Sequence, residues 1–154
     1  MFGRTVLFLL INFGGLALGS IYTAEVAGEW YQSLPKAPWT PPGWVFGAAW
    51  TTIMICFSIY LSRAWKYLDI RDRKLFYFVF ALSWVLNVIW NPIFFHFKRI
   101  GIGFIVISIL TLFVVRFVQE GRRKMRWEWW LVMPYLIWMI IATSLNGYIF
   151  FALR

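Results

Sequence analysis

Trp50, Asn87, Asn91, Trp138 and Asn146 are the residues through which this chain could do chemistry. Indoles and amides offer broad apolar faces, N–H donors and carbonyl acceptors, but no charge. Trp84, Asn87 and Asn91 recur at intervals of three and four, which places them on one helical face, and Trp138, Ala142 and Asn146 do the same further along. Interhelical packing accounts for any single Asn, because such a bond in lipid contributes only about 0.6 kcal/mol on average. Depth argues for more. At a rise of about 1.5 Å per residue, Trp50 lies ~8 Å below one membrane surface and Asn87 ~12 Å below it, with Ala142 close to that level. Trp138 lies about 13 Å from the other surface. Three segments thus offer indoles, an amide and a small residue within a layer roughly 10 Å thick, which suits a flat, mostly apolar ligand with a few polar edges.

Other chemistries find little support. The sequence contains no Gly-rich phosphate loop, no HExxH and no paired catalytic carboxylates. Ionisable side chains occur only near the ends of the apolar segments, which argues against a proton pump or an ion-coupled transporter. His96 is the single histidine, so it lacks the companion donors of a metal site and reads as a surface residue. Cys56 is the single cysteine, which excludes an intrachain disulfide and a thiolate cluster. No metal and no resident cofactor is required.

The elements that must position these groups are membrane-spanning helices. Of 154 residues 62% are hydrophobic and 14% charged, against roughly half and a quarter in soluble domains. Five apolar segments, 5–24, 45–64, 75–97, 101–118 and 129–153, are each about long enough to cross a ~30 Å hydrocarbon core as a helix. They predict an all-α, multi-pass integral membrane bundle forming one domain over 1–154. With five spans the connections alternate sides. Arg4, Arg63, Lys66, Arg71, Arg73, Lys74, Arg116, Arg122, Arg123, Lys124 and Arg126 collect on the amino-terminal face, and only Lys36, Lys98, Arg99 and Arg154 on the other. This asymmetry predicts a cytoplasmic amino terminus. It also explains the net charge of +9 by a lipid-facing basic rim rather than by nucleic-acid binding. The first segment has a signal-peptide-like run at Ala17-Leu18-Gly19, but its apolar stretch is long enough to be retained as a span. Gly15 and Gly19 within it form a small-xxx-small pair, which suits either a dimer seam or packing inside the bundle.

The longest connection, 25–44, interleaves Pro35, Pro38, Pro41 and Pro42 with Trp30, Tyr31, Trp39 and Trp44, after Glu25 and Glu29. Four prolines forbid a continuous helix and stiffen the backbone. Tryptophan and tyrosine favour the membrane interface, and a braced aromatic loop of this length reads as a lid over the bundle. Pro92 is expected to kink or end the third span near Asn91, while Pro134 is tolerated in the first turns of the fifth.

These residues carry a resemblance. Trp30-Tyr31, Lys36, Pro38-Trp39, Pro41-Pro42, Trp44-Val45-Phe46 and Trp50 resemble the translocator protein family, also called tryptophan-rich sensory protein or TspO/MBR. So do Asn87-x-x-Trp90-x-Pro92-x-Phe94-Phe95, Pro134-Tyr135-x-x-Trp138, Ala142 and Leu145-Asn146, in order along nearly the whole chain. The resemblance implies a five-helix bundle, commonly a homodimer, that binds porphyrins such as protoporphyrin IX or haem, and other flat hydrophobic molecules including sterols, beneath the first long loop. It implies a pocket built from Trp50, Asn87, Trp138, Ala142 and Leu145, joined here by Trp90, Asn91 and Asn146, under a lid containing Trp30, Tyr31 and Trp39. Some relatives are linked to light-dependent porphyrin degradation; in that case Trp50 and Trp138 would be the electron donors. A carrier of lipophilic molecules is the further alternative. Ala37 interrupts the family's Lys-Pro pair, His96 stands where the family commonly has Gly, and the cholesterol consensus is met only loosely by Leu145, Tyr148 and Arg154.

Overall fold

In a computed structural model, described here for residues 1–23 and 28–154, long apolar runs coil into helices because lipid leaves a backbone no outside hydrogen-bond partner. Helix α1 spans Phe2–Thr23, a short α2 spans Glu29–Ser33, α3 spans Gly43–Tyr67 and α4 spans Ile70–Asn91. Helix α5 covers Ile100–Lys124, and a 3-10 turn over Glu128–Val132 leads into α6, Met133–Ala152. Among the described residues five helices are long and apolar enough to cross a membrane, and the bundle is all-α. Glu25, expected ahead of the loop aromatics, lies outside the described residues.

The helices run past the apolar segments because a helix need not stop where hydrocarbon does. Asp69 caps α4 by accepting the Asp72 backbone N–H at 2.9 Å. Helix α5 continues through Arg122, Arg123 and Lys124, whose charges suit the negative end of its dipole. Lys124 pairs there with Asp72 and Glu120, joining α5 to α4. Pro92 does end α4, and the chain continues as a single wide π turn, Pro92–His96, closed by the Phe97 N–H on the Pro92 carbonyl at 2.9 Å. The turn leaves successive residues Phe94 and Phe95 both buried. Pro134 sits in the opening turn of α6, where it costs no hydrogen bond.

The spanning helices form a ring in which α1 packs on α3 and α4, α5 on α4 and α6, and α3 closes on α6. The basic half of that ring is solid. Phe57 on α3 lies 5.1–6.0 Å from the rings of Tyr60, Phe80, Phe117 and Tyr135, and Phe8 of α1 meets Phe80 at 5.7 Å. This plug draws on all five spans. Polar bonds secure it: Tyr60 donates to the Phe117 carbonyl at 2.7 Å, and Asn12 on α1 donates to Ser58 on α3 at 2.8 Å. At its basic end the buried Glu128 carboxylate accepts from Tyr67 at 3.0 Å, Arg63 at 3.3 Å and the Arg126 backbone at 3.1 Å, which ties α3 to the approach to α6.

Gly15 and Gly19 are both used inside the chain. A Cβ on Gly15 would stand 2.5 Å from Trp84 Nε1, and one on Gly19 would stand 2.5 Å from Asn91 Nδ2. The glycine pair therefore lets α4 side chains lie against the α1 backbone. Trp84 cannot move aside freely, since its indole N–H is bonded to the Ile11 carbonyl at 2.9 Å. Gly15→Val is therefore expected to lower stability by about 1–3 kcal/mol through overpacking. Gly14→Val, where nothing lies within 4 Å of the new Cβ, is expected to be neutral. Thermal unfolding of the two variants in the same detergent, followed by tryptophan fluorescence, checks this contrast.

Candidate ligand cavity

The other half of the ring is hollow. A cavity of about 600 Å³ lies between the spans on the side of the 28–42 connection, within the range of small-molecule pockets. Helix α3 contributes Phe46, Gly47, Trp50 and Thr51, α4 contributes Asn87, Trp90 and Asn91, and the π turn contributes Phe94 and Phe95. Trp138, Ala142, Leu145 and Asn146 line it from α6, and Ile107 and Leu110 of α5 form its deep wall. The lining is predominantly apolar and aromatic.

The connection covers the outer end. Leu34 is buried against Phe94, Phe95 and Ile149, and Tyr31 packs on Phe95 at 5.6 Å and on Phe94 at 6.4 Å. Burial pushes the Tyr31 phenol above its ordinary pKa of 10, so the residue is a neutral donor at physiological pH. Lys36 folds back over the same ring, 4.8 Å from its centroid, and donates to the carbonyls of Tyr31 at 2.9 Å and Gln32 at 3.2 Å. Tyr31, Gln32, Lys36, Thr40 and Pro41 all face the cavity.

The cavity also reaches the flank of the bundle. Toward the basic end α1 and α3 are fastened by Asn12–Ser58 and by Thr5 donating to Ser62 at 3.0 Å. Toward the lid, Ser20 of α1 and Gly43, Gly47 and Thr51 of α3 both line the cavity and lie on the exposed outer surface. The wall there consists of small residues.

Of the residues singled out from the sequence, Tyr31, Trp50, Asn87, Trp90, Asn91, Trp138, Ala142, Leu145 and Asn146 come together around this one space. Trp30 and Trp39 do not reach it. Trp30 turns its edge to Phe94 at 5.9 Å, beneath Lys98 at 5.6 Å. Trp39 sits within a tight turn, closed by the Thr40 N–H on the Ala37 carbonyl at 3.0 Å, which swings its ring over the outside of α6. There it donates to Ser144 at 3.0 Å, packs on Tyr148 at 5.6 Å and remains 53% exposed. With Trp44, it belongs to the aromatic belt that membrane interfaces favour. His96 is exposed and meets Tyr22 edge to face at 6.0 Å.

The polar groups divide into two kinds. Trp90 Nε1 donates to Asn146 Oδ1 at 3.2 Å, Asn146 donates to the Ile100 carbonyl at 3.4 Å, and Asn91 donates to the Asn87 carbonyl at 3.2 Å. The first two join α4 to α6 and α6 to the start of α5, and the third stays within α4. Trp138 differs: it is 4% exposed, and its buried indole N–H has no acceptor among the described residues. Sequence reasoning missed Ile107 and Leu110, which carry no signal that separates a cavity wall from a lipid-facing stripe. It also gave Lys36 no role, although that residue is quoted in the motif.

The sequence model of the TspO/MBR family matches residues 6–152. The chain is 35% identical over 118 residues to the tryptophan-rich sensory protein of Cereibacter sphaeroides, covering 77% of this chain and 73% of that one. It is 32% identical over 136 residues to protein CrtK of Rhodobacter capsulatus, covering 84% and 80%. It is also 28% identical over 141 residues to the translocator protein of Ovis aries, covering 90% and 83%. The order of the motifs, the five spans and these likenesses agree: the chain belongs to the TspO/MBR family and is an integral, multi-pass membrane protein.

Proposed function

We propose that the protein binds flat, hydrophobic molecules, porphyrins first among them, inside its helix bundle and acts as a membrane sensor of them. The observation that carries this reading is the cavity of about 600 Å³ where Trp50, Asn87, Trp138 and Ala142, drawn from three helices, share one wall-lined space. Apolar and aromatic walls hold a planar ring system by dispersion and stacking, while a few amides and indole N–H groups orient its edge. The Cereibacter relative is a tryptophan-rich sensory protein by name, which supports signalling as the outcome of binding. A second copy of the chain and a cytoplasmic amino terminus complete the proposal. Since Gly15 and Gly19 are occupied by α4, a homodimer would use other outer faces.

A second reading, light-driven porphyrin breakdown, draws support from the two cavity-lining indoles at Trp50 and Trp138. Illumination should then give products that free porphyrin in the same detergent does not form.

Titration with protoporphyrin IX should quench tryptophan fluorescence saturably, because the ligand would sit among cavity indoles. The double variant Trp50→Phe, Trp138→Phe should weaken binding by roughly tenfold, as loss of two ring contacts of about 0.5–1.5 kcal/mol each requires. Binding unchanged in the double variant would overturn the assignment of the cavity. Ala142→Leu tests the same space one turn along α6 from Trp138: its added atoms enter the cavity, so porphyrin affinity should fall by about tenfold or more while Tm stays near that of the parent. Quenching and thermal unfolding, measured on the same sample, separate occlusion from misfolding.

A further inference from the structure

The residues lining the cavity carry one formal charge. Lys36 is the single Lys, Arg, Asp or Glu among those described, and it stands at the lid end, opposite the apolar wall of Ile107 and Leu110. No described carboxylate pairs with it; its described partners are the carbonyls of Tyr31 and Gln32 and the face of the Tyr31 ring. Two carbonyl contacts leave an ammonium, which has three N–H donors, with one still to give. The residue is half-buried. A cation beside an apolar cavity attracts an anion more strongly than one in open water, because little solvent screens it.

We infer that Lys36 is a specificity determinant that selects ligands bearing a carboxylate or comparable anion at one edge, and that it sets their orientation. The acidic edge lies at the lid on the Lys36 ammonium, with the flat apolar body directed inward toward Trp50 and Trp138. The inference rests on the cavity being the binding site, and it narrows the ligand class from flat hydrophobic molecules to acidic amphiphiles. Neutral molecules of the same shape still fit the walls but lose the charge-assisted bond. The alternative role of Lys36 is purely architectural, holding the last carbonyls of α2 and so the lid itself.

The test compares an acid with its neutral twin. Protoporphyrin IX and its dimethyl ester share one ring system and differ at the acidic edge. Each is titrated against the full chain in nanodiscs of zwitterionic lipid, with partition into protein-free nanodiscs subtracted. The parent protein should prefer the acid by roughly tenfold, the factor that about 1.4 kcal/mol makes. Lys36→Met should abolish that preference and leave the ester's affinity within about twofold. Lys36→Arg should retain the preference, and Lys98→Met, whose charge lies outside the cavity lining, should leave it untouched. An acid-to-ester ratio that is the same in the parent and in Lys36→Met overturns the inference. Equal weakening of both compounds by Lys36→Met does so too, because it assigns Lys36 to lid architecture alone. If neither compound binds the parent protein, porphyrin binding in this cavity fails and the selectivity falls with it. If both bind equally well, only the selectivity falls.

Discussion

The aromatic plug around Phe57 is the contact set on which the rest of the molecule depends. Helices in lipid gain nothing from hiding apolar surface, since acyl chains are as apolar as leucine, so association rests on close packing and on hydrogen bonds between spans. Phe57, Tyr60, Phe80, Phe117 and Tyr135 supply the packing from four helices, and Phe8 brings in α1. Tyr60 and Asn12 supply bonds at the same level. Because all five spans are secured in one half, the other half can stay open without the bundle coming apart.

Position in the bundle decides what each polar residue does. Asn12 and Ser58, in the solid half, satisfy each other at 2.8 Å and hold α1 to α3. In the hollow half Trp90 and Asn146 also bond, at 3.2 Å, but across an edge of the cavity, so the same atoms that fix α4 against α6 border the ligand space. The π turn at Pro92 belongs to this arrangement. It aims Phe94 and Phe95 together at the underside of the lid, where Leu34 and Tyr31 rest on them. Wide turns of this kind often accompany functional sites; here the turn joins the end of a span to the cover of the cavity.

The five spans were legible because about twenty apolar residues in a row have few other fates, and the shared faces of Asn87–Asn91 and Trp138–Asn146 followed from helical periodicity. Trp50, Asn87 and Ala142, grouped in the sequence by rise per residue, all line the cavity. What stayed hidden has a common cause. In an apolar helix every face looks alike, so nothing marked Ile107 and Leu110 as cavity wall, and the Gly15–Gly19 pair, legible as a packing seam, did not reveal that α4 would fill it with Trp84 and Asn91. Trp39 was illegible for a different reason: a single turn at residues 37–40 decides which side of the lid its indole falls on, and only a fold can settle that.

A hollow lined by apolar groups is cheap in a membrane and undiscriminating for the same reason. Any apolar molecule of suitable width, including a lipid tail, can fill it, and small exposed residues at Gly43, Gly47 and Ser20 leave its flank thinly walled. Dispersion against such walls provides affinity but little preference among ligands. Discrimination must therefore come from the few groups that a wrong ligand would leave unpaired. Here these are the cavity amides and the ammonium of Lys36. Two of them sit far apart in kind, a neutral amide at Asn87 and a charge at Lys36. A molecule satisfying both must be apolar through its body and polar at its edge. The walls set how tightly the protein binds, and these sparse polar groups set what it binds.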